Sequence, residues 1–291
     1  MLNDVSEHYH HECQKILFLS YPIHYICASE MDNRILFISL ASGSSGNCYF
    51  LGSQDFGFLI DVGIPFRTIR KKLNECKIPL ESVKAVFITH NHWDHIKSIE
   101  SFSSVLHLPV YALTSVKRAI CSHKCLSKIV PGEIKDLELN SPISLGDYTL
   151  TPFLVPHDSE GNCGYTIEFR GRRFTLATDV GSPTEELKNL IPQSDFLVIE
   201  ANHDEVMLNN GPYPPELKER VRSDKGHLSN KAVAELLDEY VTDRLTRIFL
   251  CHLSDKNNTP DLAYKTVVHT MKKQISVTIL DRKETIKFTL C

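Results

Sequence analysis

The sequence predicts a mixed α/β fold, two packed β-sheets sheltered between helices. Strand-like runs of β-branched and aromatic residues recur along the chain, and helix-like segments lie between them with no Gly/Ser-rich linker to divide it. The chain has 291 residues, 42% of them apolar, enough to bury one sizeable core. One domain over residues 31–291 is therefore expected, preceded by an extension over 1–30 that packs poorly. The strand-like runs are 34–62, 83–89, 109–113, 148–180, 196–201, 247–251 and 276–290. Helix candidates between them include "PFRTIRKKLNE", "SPTEELKNL" and "LSNKAVAELLDEYV". Ser229 suits the N-cap of the last, because its hydroxyl can accept from a free backbone N–H of the first turn.

The run at 83–89 leads directly into "FITHNHWDHIKS", which sets His90, His92, Asp94 and His95 within six positions. Side chains alternate in extended chain, so His90 and His92 point to one side, while Asp94 and His95 reach a second point nearby. That is the beginning of two metal sites. Imidazole nitrogen with carboxylate oxygen suits zinc, and less exclusively manganese or iron; the lack of thiolate argues against a closed structural zinc site. Further ligands then have to come from other strand ends. His157 closes "YTLTPFLVPH", Asp179 closes "RRFTLATD" and His252 closes "TRIFLCH". Alone, each reads more simply as a hydrogen-bonded His or a turn Asp. Following the six-residue cluster, they read together as ligands.

These seven residues resemble the metallo-β-lactamase superfamily pattern of H-x-H-x-D-H followed by a distant His, Asp and His. "SLASGSSGN" (39–47), "GPYPPELKERVRSDKGHLSN" (211–230) and "CHLSDKNNTP" (251–260) are similar to its YycJ/WalJ-like branch, and the similarity runs from Met31 to Cys291. The resemblance implies a four-layer αβ/βα sandwich and a hydrolase with two divalent ions, zinc or manganese. It implies His90, His92 and His157 on one ion, Asp94, His95 and His252 on the other, and Asp179 between them. Asp94 then counts among the catalytic residues as well. Asp179 stands where true β-lactamases carry a thiolate, which weighs against antibiotic hydrolysis. Asn91 and Trp93 depart from the loop's usual form without touching a ligand position; the bulk of Trp93 is expected at the rim of the site.

A dinuclear core does not by itself choose between esters, lactones, thioesters and phosphodiesters. Glu200, after the strand-like "FLVIE", and His227, in "GHLSN", match positions that form a proton-donating pair in nuclease branches of the superfamily. An alkoxide leaving group needs such a proton, and an imidazole whose tautomer is held by a carboxylate can deliver it. The net charge of −4 argues against a generally polyanion-binding surface. "ELKERVRSDKGH" nevertheless concentrates cations before His227, with Lys218 and Arg222 on one helical face as candidate phosphate contacts. "ASGSSGN" reads as a tight turn that can also cradle a phosphate through Ser45 and Asn47. "RGRR" (170–173) reads as a hairpin tip with no assigned role.

The leading expectation is thus a phosphodiesterase on nucleic acid, and the branch resemblance implies a 5′-to-3′ exonuclease on DNA. The alternatives are a small-molecule hydrolase of the glyoxalase or lactonase kind and a non-catalytic metal-binding regulatory protein. Nine cysteines without paired motifs suggest reduced thiols and a cytoplasmic location. Cys121 and Cys125, flanking His123 at helical spacing, read as a small buried face. No 18-residue apolar span predicts a membrane helix. "ILFLSYPIHYIC" lacks the basic start of a signal peptide, and "MDNRILFISLASGSSGN" resembles a natural start at Met31.

Overall fold

The computed structural model describes residues 34–126 and 131–290. The expectations for residues 1–30 and for a start at Met31 lie outside the described residues. Strands β1 (Ile35–Ala41), β2 (Cys48–Gly52), β3 (Gly57–Ile60), β4 (Val83–Phe87), β5 (Val110–Leu113) and β6 (Ile134–Leu137) run in spatial order across one sheet. The second sheet contains β7 (Ile143–Leu145), β8 (Tyr148–Leu154), β9 (Cys163–Phe169), β10 (Arg172–Ala177), β11 (Phe196–Glu200), β12 (Arg247–Cys251) and β13 (Ser276–Ile279). The last strand, β14 (Ile286–Leu290), returns to pair antiparallel with β1, opposing Phe288 to Phe37. Each sheet changes from antiparallel to parallel pairing along its width: β3 to β6 are parallel in one, β10 to β13 in the other.

The two sheets pack face to face through aromatic side chains. Phe37 on β1 lies with its ring centroid 4.9 Å from those of Phe174 on β10 and Phe249 on β12. Alternation along β11 and β12 serves two cores: Phe196, Val198, Phe249 and Cys251 enter the core between the sheets, while Leu197, Ile199, Ile248 and Leu250 face the helices. Strands buried on both faces read as the continuous apolar runs seen in the sequence. Helices α1 (Phe66–Glu75) and α3 (Thr114–Cys121) cover the first sheet with Ile69, Leu73, Val116 and Ile120. On the second sheet, α7 (Asn230–Tyr240) and α8 (Pro260–Thr270) bury Val233, Leu237 and Val267. The short helices α2 (Trp93–Ile96), α4 (Glu185–Leu190), α5 (Glu205–Asn210) and α6 (Pro215–Arg222) lie in the connections. The result is the expected order of helix, sheet, sheet, helix.

Ser229 caps α7, accepting from the Ala232 N–H at 3.1 Å. The "RGRR" tip is a two-residue hairpin turn with φ of 48° at Arg170 and 74° at Gly171, the positive pair that strand twist favours. Two strands did not stand out in the sequence: β6 and β7 are edge strands, short and mixed in polarity, as unprotected edges tend to be. The buried face expected at Cys121 and Cys125 is corrected, because α3 ends at Cys121 and both thiols are exposed. The six described cysteines are all unpaired.

Asp195 ties the far end of the second sheet. Its carboxylate accepts from the Arg173 N–H (2.8 Å), Arg172 (2.9 Å) and Arg244 (2.9 Å). Burial pushes its pKa up, but the Arg173 amide and the two guanidiniums more than reverse that and hold it below the usual carboxylate value. A depressed folded pKa contributes stability above the unfolded value of about 3.9, which is lost as pH falls through the folded one. Asp195→Asn is expected to cost about 1–3 kcal/mol at pH 7. Thermal melts at pH 7 and pH 3 check this: the gap between variant and wild type should shrink at the lower pH.

Candidate metal centre and active site

The predicted ligands converge although they come from four connections. All lie beyond strand ends on one rim: the loop after β4 carries His90 to His95, and His157, Asp179 and His252 follow β8, β10 and β12. His90, His92 and His157 form one trio and Asp94, His95 and His252 a second, with the donor atoms of each within 4.8 Å of one another. Asp179 stands between them, with Oδ1 3.7 Å from His157 Nε2 and Oδ2 3.3 Å from His95 Nε2. Asp179 and His252 hold left-handed backbone, with φ of 55° and 54°, which turns each side chain back over its strand end.

Four of the five imidazoles have a partner on the nitrogen turned away from the trios, as ligating histidines usually do. His157 Nδ1–H donates to Gly226 O (3.1 Å), His95 Nδ1–H to Asp61 Oδ2 (2.7 Å) and His252 Nδ1–H to Glu200 Oε1 (2.8 Å). Thr89 Oγ1 lies 3.0 Å from His90 Nδ1. Asp61 was missed by the sequence reading. It closes the β3 strand as Asp179 closes β10, shares the same backbone turn (φ 57°), and also accepts from Thr89 N and Oγ1 at 2.9 Å. A carboxylate directly after a buried strand was the available signal. Gly63 allows the loops to close: a Cβ there would lie 1.6 Å from Asp94 O.

The fit to cations rests on unmatched atoms and charge. His90 Nε2 in the first trio and His252 Nε2 in the second are buried with no hydrogen-bond partner. Asp61, Asp179 and Glu200 are essentially buried, with Asp94 beside them, and the groups holding these four carboxylates are imidazoles, amides and two hydroxyls. Their surplus charge drives His252 up to about 10: burial lowers it, but Asp179, Asp94 and Glu200 prevail. Burial would likewise raise Asp179, yet His252, His95 and His90 hold it well below the usual carboxylate range. Buried charge of this kind calls for compensation, which divalent cations facing these Nε2 atoms would supply.

Glu200 and His227 stand beside the ligands as expected. Glu200 Oε1 accepts from His227 Nδ1–H (2.8 Å), while Oε2 accepts from Val180 N (2.8 Å) and Leu228 N (3.1 Å). The same Oε1 also accepts from His252 Nδ1–H, so Glu200 holds both imidazoles at once, which the sequence did not reveal. Burial pushes the Glu200 carboxyl up, but the His227 charge and both imidazole hydrogen bonds bring it down to about 2. Burial lowers His227, and Glu200 with Asp179 more than offsets this to raise it.

A cavity of about 240 Å³ opens over the centre, lined among others by Asp158, Tyr213, Arg220, His227 and Ser254. Arg220 pairs with Asp158, the neighbour of ligand His157. The candidate phosphate contacts Lys218 and Arg222 do not line this cavity: both reach Asn209, through its backbone and side-chain oxygens. Helical spacing kept them on one face, but α6 turns that face away and presents Arg220 and Val221 to the cavity. Asn47 is wholly buried, bonded to Gly43 through Oδ1 (2.9 Å) and Nδ2 (3.1 Å), and its N–H donates to Asp94 O at 2.8 Å. It therefore fastens the β1–β2 turn to the ligand loop. Ser45 is exposed, and its neighbour Ser44 lines the cavity.

Fold and site together define a metal-dependent hydrolase. Residues 58–252 match the family model described as the β-lactamase superfamily domain. The chain is 33% identical to exodeoxyribonuclease WalJ of Streptococcus pneumoniae over 80% of this chain and 86% of that protein. It is 30% identical to exodeoxyribonuclease YycJ of Bacillus anthracis over 82% and 89%. Among solved structures, the metallo-β-lactamase fold protein YhfI from Bacillus subtilis superposes with a TM-score of 0.66 at 17% identity, over 88% of this chain and all of that one. The chain thus belongs to the metallo-β-lactamase superfamily, in the WalJ/YycJ branch.

Proposed function

We propose that this chain is a DNA exonuclease working 5′ to 3′ in the cytoplasm, with two zinc or manganese ions in the centre. The observation that carries the reading is His227 on the wall of the metal-site cavity, held from behind by the buried Glu200 carboxylate at 2.8 Å. The exodeoxyribonuclease names of the 30–33% identical relatives support it, as do the unpaired cysteines for location. Among the described residues no helix is long and apolar enough to cross a membrane.

Cations held by the two trios and Asp179 would supply Lewis acidity to the phosphoryl oxygens and a more acidic water. The chain's residues do the rest. His227 keeps Nδ1–H on Glu200, so its mobile proton sits on Nε2; as the P–O bond breaks, that proton passes to the leaving oxygen. Glu200, with its low pKa, stays ionised and stabilises the imidazolium beforehand. Arg220 is free to exchange Asp158 for a substrate phosphate. Arg220→Ala is expected to raise KM roughly tenfold, the worth of one charge-assisted contact of about 1.5 kcal/mol, with a smaller change in kcat. Lys218→Ala should raise KM less, and the reverse order would return the phosphate contact to Lys218.

Digestion of end-labelled single- and double-stranded DNA and RNA in Mn²⁺ and in Zn²⁺ tests the whole reading. Early release of the 5′ label as a mononucleotide is expected. DNA left intact by fully metallated protein that turns over a thioester or lactone would overturn it.

A further inference from the structure

Trp93, between the ligands His92 and Asp94, is 40% exposed although it is the largest side chain on the ligand loop. The His123 ring stacks on it, with centroids 5.5 Å apart and planes 10° from parallel. Beside the stack lies a separate cavity of about 720 Å³, within the roughly 300–1,000 Å³ of ligand pockets. Its wall includes Asn91 from the ligand loop, Arg118 and Ser115 from α3, His123, Lys124 and Glu160. Asn91 and Glu160 meet there, Glu160 N–H donating to Asn91 Oδ1 at 3.4 Å, so the cavity shares a boundary with the loops bearing His90, His92 and His157.

A flat, stiffened aromatic ring one residue from two metal ligands, leading to a cavity with two cations against one carboxylate, suits a polymer of bases and phosphates. Stacking needs only a π-face and tolerates any base, as a nuclease without sequence preference requires. The geometry points to a nucleobase platform: Trp93, braced by His123, stacks a base of the DNA strand next to the scissile linkage, and Arg118 and Lys124 face the phosphates of the nucleotides beyond. This rests on the exonuclease reading and specifies where its strand runs.

Trp93 is the chain's only tryptophan, so its fluorescence reports on this site alone. The metallated full-length protein is titrated with a single-stranded oligodeoxynucleotide carrying nuclease-resistant phosphorothioate linkages, and with the same strand made abasic at successive positions from the cut end. Saturable quenching by the intact strand is expected, weakened by one abasic position. In kinetics, that abasic position should raise KM about 5- to 100-fold for wild type, the usual range for one stacked base, and far less for Trp93→Leu. Trp93→Phe should recover part of the difference. Cleavage of DNA without quenching, or an equal abasic penalty in wild type and Trp93→Leu, overturns the platform and leaves the exonuclease reading standing. A wild-type protein that neither binds nor cuts DNA overturns both. The wild-type titration decides the matter even if the leucine variant fails to fold.

Discussion

Asp179→Ala is expected to lower turnover by about 10³-fold or more, since the carboxylate between the trios underlies several kcal/mol of cation-derived stabilisation. Metal content, measured by elemental analysis, should fall from two equivalents toward one. Asp179 reaches His95 and His157 at 3.3 and 3.7 Å, so its loss affects both positions. The backbone complicates the alanine variant, because φ is 55° there and alanine resists that conformation. Asp179→Asn removes the charge while keeping a residue that tolerates the left-handed region. Agreement between the two variants would place the loss in coordination. Near-wild-type turnover or two retained equivalents in either would show that Asp179 does not bridge.

His227→Ala separates nuclease chemistry from its rivals. Turnover on DNA should fall by about 10² to 10⁴, the usual contribution of positioned proton transfer, with metal content near wild type. A nitrophenyl phosphodiester, whose leaving group departs without a proton, should suffer far less. Glu200→Gln should behave differently, because Oε1 also orients His252 at 2.8 Å. It should both slow DNA cleavage and weaken metal affinity by roughly 10- to 100-fold, as loss of a ligand's outer partner does. Equal losses of His227→Ala on both substrates would assign His227 to metal binding or folding, and no loss on either would reduce it to a structural residue.

The sequence by itself determined the ligand loop, because four donors within six residues after a strand are a local pattern. It also determined the alternation of elements and the strand-end positions of His157, Asp179 and His252, since both follow from short-range periodicity and polarity. The tertiary structure alone decided what depends on distances through space. Asp61 is one carboxylate after a strand until His95 lies 2.7 Å away. Glu200 has one evident partner in the sequence and two in the fold, because β11 and β12 pair in register and bring Glu200 opposite Cys251, next to His252. Lys218 and Arg222 share a helical face, but the packing of α6, through buried Val221, turns Arg220 to the cavity instead. Spacing along a helix states which side chains share a face; only packing against the rest of the chain states where that face points.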